Sequence, residues 1–321
     1  MKENNEKRNS GSGANSMKQT SRLRELIKKP GIIVMPGSFS AMSAKLVEDA
    51  GFGAVYMSGG CTSMSFIGWA DVGLITFDEM LLNLRLIADR VNIPVVADAD
   101  TGYGNALNLR RTTQAYIRAG ASAMHVEDQT LPKRCGNLPG KLLVSREEFV
   151  GKIKAAKDVI NKMDPDFVFI ARTDARNSVG GSLQEAIDRA NLYVESGADW
   201  VIPDGLQSPE EVAKFAKSVK APMMVFAGYG VTFGPMSAEE LESAGVKIMA
   251  LPGAQFSPAL YAQIESLKLL KKHGTDMVYK DRQFKVREMF DLAGLQEYRG
   301  CEEKYLPQEE LEKYKKSGPG I

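Results

Sequence analysis

Apolar residues gather into eight short runs, each rich in β-branched or aromatic side chains and each followed by a stretch with helical spacing. The runs are IIVMPG (32–37), AVYMSGG (54–60), IPVVADADTG (93–102), SAMHVEDQ (122–129), FVFIARTDA (167–175), DWVIPDG (199–205), PMMVFAGYG (222–230) and VKIMALPG (246–253). Between them apolar positions recur every three or four residues, as in Leu81, Leu84, Ile87 and Ala88, or Ile187, Ala190, Leu192 and Val194. Several helical stretches stop at an Ala-Gly or Ser-Gly pair, at 50–51, 119–120, 196–197 and 244–245. Such a glycine supplies the left-handed residue that a helix C-terminus needs. Strands alternating with helices predict right-handed crossovers and a parallel sheet. Eight repeats over about 225 residues match an α/β fold of the (β/α)8 barrel type. A doubly wound open sheet is the rival, but no G-x-G-x-x-G follows the first strand.

The ends of the chain fall outside this pattern. Residues 1–21 are polar and without periodicity, which predicts a disordered tail or an added leader, with Met17 as an alternative start. The barrel is expected over 22–272. Residues 273–321 read as a charged, partly helical extension suited to oligomerisation, with Val286, Met289, Phe290, Leu292 and Leu295 against a partner subunit.

Composition removes several function classes. Of 321 residues, 41 are Lys or Arg and 40 Asp or Glu, so no net basic field exists to hold nucleic acid or an anionic membrane. No apolar run approaches the roughly 20 residues of a membrane span, and the N-terminus lacks the apolar stretch of a signal peptide. Only His125 and His273 occur, which excludes an HExxH or multi-histidine metal site. Cys61, Cys135 and Cys301 are few and scattered, fitting a reducing cytosol and a cytoplasmic location. Any metal should then be hard and oxygen-bound, Mg²⁺ with Mn²⁺ as a substitute.

The runs end in chemistry. In a barrel the C-terminal strand ends converge on one mouth, where active sites sit. Asp98 and Asp100, two apart, face the same side, and with Glu127 and Asp71 they offer an oxygen nest for Mg²⁺. The alternative is that Asp98 caps a turn before Gly102. Ser58, Gly59 and Gly60 place donors where a ligand carboxylate can approach, or else mark a flexible loop. Arg172 can grip a carboxylate or pair with a neighbouring acid. His125 faces the way Glu127 does and touches substrate, or is a satisfied core histidine. Cys135 lies in the Pro/Gly-rich segment 132–141 beside Lys133 and Arg134. Those cations should favour thiolate and make it a proton donor and acceptor that is readily alkylated. Cys61, near Met64 and Phe66, reads as a packing residue.

YMSGG, DADTGYG, HVEDQ, KRCG and ARTDA, in order on consecutive strands, resemble the isocitrate lyase/phosphoenolpyruvate mutase superfamily over roughly residues 22–305. The resemblance is closest to the branch of 2-methylisocitrate lyase, dimethylmalate lyase and oxaloacetate hydrolase. It implies that Tyr56, Ser58, Gly59 and Gly60 hold the α-keto-acid portion, and that Asp71, Asp98, Asp100 and Glu127 bind Mg²⁺ directly or through water, Asp100 foremost. It implies a gating loop of Lys133, Arg134, Cys135 and Gly136, and a carboxylate held by Arg172. The expected reaction is Mg²⁺-dependent retro-aldol cleavage of a 2-hydroxy di- or tricarboxylate, 2-methylisocitrate- or dimethylmalate-like, to a 2-oxo acid and a carboxylate. Tyr56 would be the base and Cys135 the acid. Oxaloacetate hydrolysis or decarboxylation, phosphonomutase or phosphonopyruvate hydrolase activity, and non-catalytic ligand binding are the alternatives. The implied assembly is a homotetramer with a swapped last helix, taking a small carboxylate as its partner, and neither nucleic acid nor membrane. Three positions depart from the branch: Asn137 replaces the His of KRCGH, Asp204 replaces a Glu, and Phe226-Ala227-Gly228-Tyr229-Gly230 replaces an Asn and a hydroxyl residue. Asn137 and Asp204 still line the expected substrate site. The altered 226–230 stretch argues against a tricarboxylate.

Overall fold

In the computed structural model residues 17–316 are described, so residues 1–16 of the expected tail and the last five of the extension lie outside the described residues. Eight strands form one parallel sheet: β1 (Ile33–Ser38), β2 (Val55–Met57), β3 (Val95–Asp98), β4 (Ala123–Glu127), β5 (Val168–Thr173), β6 (Trp200–Pro203), β7 (Met224–Phe226) and β8 (Ile248–Leu251). Each falls in one of the apolar runs, to within a residue. The order is β6-β5-β4-β3-β2-β1-β8-β7, and a single bridge from Val201 to Met223 brings the two edges together. The result is a nearly closed (β/α)8 barrel. Gly51, Gly120, Gly197 and Gly245 all take positive φ just past a helix end, as their pairing with Ala or Ser predicts.

The strands are buried on both faces, which is why the runs are continuous rather than alternating. Inward side chains such as Met35, Tyr56, Val96, Ile170, Trp200 and Met224 fill the barrel. Outward ones pack under the surrounding helices in two clusters, around Phe149 and Phe169 on one side and Phe215 and Leu241 on the other.

One expectation needs correcting at the N-terminus. Residues 19–21 begin a helix, Gln19–Lys28, rather than ending a tail. Thr20 and Leu23 are buried, and Leu23 joins the barrel interior. Arg24 donates to the carbonyls of Asp166 and Phe167 just ahead of β5, so this helix stoppers the N-terminal end of the barrel. Active chemistry is left to the other end.

The chain divides into two compact units, to Ser257 and from Pro258, rather than at 272. The helix Phe256–His273, almost all of which falls in the 22–272 range expected for the barrel, lies mostly in the second unit and has no buried residue. No helix among the described residues is long and apolar enough to cross a membrane.

Candidate active site

Strand register assembles the mouth. Asp98 on β3 pairs with His125 on β4, and Glu127 pairs with Arg172 on β5. Asp98 is heavily bonded: one oxygen accepts from Gly59 N–H at 3.0 Å and Tyr56 O–H at 3.3 Å, the other from Asp100 N–H at 3.0 Å. Asp100, at φ 46°, turns its carboxylate back into the mouth. There it meets Lys133 Nζ at 2.8 Å, and the same ammonium pairs with Asp71. Lys133 is buried, and despite that burial Asp100, Glu127 and Asp71 hold its pKa well up. Burial raises the Asp100 carboxyl even with Lys133 beside it.

Glu127 is the least satisfied of these acids. One oxygen faces Arg172 Nη1 at 3.2 Å; the other, Oε1, is buried without a hydrogen-bond partner, and burial pushes this carboxyl well above its usual range. Arg172 is shared among carboxylates, pairing with Asp174 through two nitrogens at 3.0 and 2.8 Å and with Asp204 at 3.0 Å. The Phe226 ring covers it at 5.5 Å. Against the cost of burial, Arg172 holds Asp174 below the normal carboxylate range, whereas burial dominates at Asp204 and raises it. Arg172 therefore reads first as the hub of a protein ion cluster.

His125 is fully buried, in contact with Tyr56 at 2.9 Å and Asp98 at 3.4 Å. Burial, with Arg172 adding to it, takes its pKa down to about 3, so the ring is neutral. Burial also pushes the Tyr56 phenol well up, with Asp98 reinforcing the shift. In this structure Tyr56, expected as the base, instead donates its O–H to Asp98, and its raised pKa favours that protonated form.

Between β4 and the helix Arg146–Met163 the chain lays the Cys135 loop across the mouth. Cys135 N–H donates to the Asp71 carbonyl at 3.1 Å, and Gln129 bonds both backbone groups of Arg134 at 2.9 Å. The thiol is half-buried, and burial raises its pKa; the Asn137 amide, Arg172 and Lys133 offset this only in part. The expected thiolate is thus corrected to a thiol, because Lys133 is spent on Asp71 and Asp100 and the Arg134 side chain is exposed. Asn137 is also exposed. Gly136 is required: a Cβ there would lie 2.4 Å from the Asp204 carboxylate. Ser58 Oγ accepts from Cys61 N–H and so caps the short helix Gly59–Thr62, while Gly59 N–H is taken by Asp98, so that backbone donor serves the protein. A Cβ at Gly60 would press on Asp71 at 3.1 Å. Cys61 is buried and donates to the Pro252 carbonyl, consistent with packing. Lys141 and Asn177 were not anticipated as site residues, whereas Phe226 falls in the altered 226–230 stretch. Lys141 carried a weak signal as the charged end of the Pro/Gly-rich segment; Asn177 carried none.

Residues 23–270 match the family described as phosphoenolpyruvate phosphomutase. The chain belongs to that family. It is 37% identical to the 2,3-dimethylmalate lyase of Eubacterium barkeri, over 90% of this chain and 99% of that one. It is 40% identical to a 2-methylisocitrate lyase of Aeropyrum pernix, over 86% and 87%. Among solved structures, oxaloacetate acetylhydrolase in complex with the inhibitor 3,3-difluorooxaloacetate superposes with TM-score 0.84 at 33% identity, covering 89% of this chain and 96% of that one. Phosphonopyruvate hydrolase complexed with oxalate and Mg²⁺ gives 0.81 at 31% identity, over 91% and 100%. These relatives, lyases foremost, make the chain an enzyme and support carbon–carbon bond cleavage as its chemistry.

The donor set can be tested against the metal implied by this family. Among the described residues no three His, Cys, Asp or Glu side chains close around a common point as a ready-made metal cage. The set still fits a hard divalent ion that keeps its waters. Six acids (Asp71, Asp98, Asp100, Glu127, Asp174 and Asp204) face only Lys133, Arg172 and Lys141 as cations, and the orphaned Glu127 Oε1 lacks any donor. The mouth has more carboxyl groups than cations to match them.

Proposed function

We propose that the protein is a Mg²⁺-dependent lyase that splits a 2-hydroxy dicarboxylate or close relative by retro-aldol chemistry. The observation that carries this is the Cys135 loop tied to Asp71 over a mouth whose carboxyls outnumber its cations, with Glu127 Oε1 left unpartnered. Asp100 would hold Mg²⁺ (or Mn²⁺) directly, with Asp71, Asp98 and Glu127 through water. The ion, when bound, supplies electrostatic stabilisation of developing oxyanion charge. The remaining steps belong to the chain. Glu127, with a free Oε1 and a raised pKa, takes the substrate hydroxyl proton. The C–O bond becomes a carbonyl, and the C–C electron pair leaves on the departing fragment as an enediolate. Cys135 S–H protonates that carbon, and the proton on Glu127 returns to the sulfur as products leave. Tyr56 donates its hydrogen bond and keeps its proton throughout.

Incubation with Mg²⁺ and a panel of 2-hydroxy diacids, with products identified by NMR, tests the reading. Release of pyruvate or glyoxylate with a matching carboxylate is expected. Turnover of phosphonopyruvate instead, or binding of every diacid without turnover, would overturn it. The likeness to oxaloacetate acetylhydrolase favours a second reading, C–C hydrolysis of oxaloacetate, for which oxalate would be the diagnostic product.

The same reading extends to assembly and place. No residue from Pro258 to Tyr314 is buried, and Val286, Met289 and Phe290 are 46–49% exposed. These faces are offered as oligomer contacts of a cytoplasmic homotetramer. A stable monomer at micromolar concentration in sedimentation would rule that out.

A further inference from the structure

The loop carrying Cys135 is tied down just beyond the cysteine by groups that the proton transfers leave unused. The Gly136 carbonyl accepts from Lys141 Nζ and from Asn177 Nδ2 at 3.2 Å. The Lys141 side chain has no exposure, and its ammonium has one other polar neighbour at hand, Asp174 Oδ1 at 3.6 Å. That carboxylate is already held by Arg172. Asn177 reaches in from the loop after β5, and Gly205 leaves it the room: a Cβ at 205 would lie 2.2 Å from the amide. The Lys141 backbone is fixed as well, its carbonyl accepting from Val179 N–H at 3.0 Å. A buried ammonium needs partners in the interior. If the loop lifts, Gly136 O departs and Lys141 is left with a share of one carboxylate. Opening therefore breaks a charge-assisted hydrogen bond and strands part of a desolvated charge.

We propose that Lys141 and Asn177 are positioning residues that latch the 131–140 loop shut through the Gly136 carbonyl, and so fix the Cys135 thiol over the mouth. The importance of the latch for turnover rests on the function proposed above; its existence does not.

Iodoacetamide labelling of the intact protein, with peptide mapping of Cys135, Cys61 and Cys301, tests the latch without substrate. Lys141→Met should speed Cys135 alkylation about ten- to a hundredfold, the range for losing a hydrogen bond to a charged group. Asn177→Ala should act in the same direction by a few-fold, and Cys301 should label at the wild-type rate in both. Labelling at pH 7 and pH 9 separates a change of access from a change of thiol pKa. Wild-type Cys135 labelling in both variants would overturn the latch, as would equal acceleration at all three cysteines, which signals general loosening. If Lys141→Met does not fold, Asn177→Ala decides by the same readouts. On a diacid substrate, kcat should drop more than KM rises. Faster Cys135 labelling with no diacid turned over by the wild type would keep the latch and remove the lyase reading.

Discussion

Glu127 and Asp128 are consecutive, fully buried carboxylates at the end of one strand, yet they lead opposite lives. Asp128 turns away from the mouth and is satisfied: it accepts from Thr173 Oγ1 and Tyr193 O–H, both at 2.8 Å, from Arg189 Nη1 at 3.2 Å and from Asp174 N–H at 3.0 Å. Glu127 turns inward and has one oxygen with nothing to accept from. The difference separates architecture from chemistry. A buried acid with every lone pair used braces the fold; one left short awaits a cation, a proton or a substrate.

That contrast can be broken from both sides. Asp100→Ala, or excess EDTA on the wild type, should remove more than about 10³-fold of activity, because stabilising the developing charge is the largest demand on the site. Full turnover in EDTA would end the metal reading. Cys135→Ser should cost about 10²–10⁴-fold in kcat with KM little changed, the usual toll for a lost proton donor. Near wild-type turnover would remove Cys135 from the mechanism. Asp128→Ala should lower stability by about 3 kcal/mol in denaturant titration, by deleting the carboxylate that accepts from Arg189, Tyr193, Thr173 and Asp174 N–H, while kcat of the folded enzyme stays close to wild type. A large kcat loss at unchanged stability would place Asp128 in the chemistry instead. Tyr193→Phe, which deletes one bond from that brace, should cost about 1 kcal/mol. The smallest effect is one of pH. Since burial raises the Cys135 thiol, its alkylation rate should still be climbing above the ordinary thiol value of about 8.5. A plateau near neutrality would restore the thiolate that Lys133 and Arg134 suggest in the sequence.

The chain order of strands, the glycine-capped helices and the convergence of acids on one mouth were legible in the sequence because each is local. Period, cap chemistry and the two-residue spacing of Asp98 and Asp100 are written in neighbours. The roles of Tyr56, Cys135 and Lys133 were not. Lys133 is 62 residues from Asp71, and only the fold puts its ammonium between Asp71 and Asp100. Once placed there it only partly offsets the rise that burial imposes on the cysteine two residues away, where sequence proximity alone had suggested a thiolate. Tyr56 looked like a base until the barrel interior closed around it. The Gly136 carbonyl likewise gains Asn177 from a separate loop 41 residues on. Which groups ionise depends on which partners and how much water survive packing, and tertiary structure decides both.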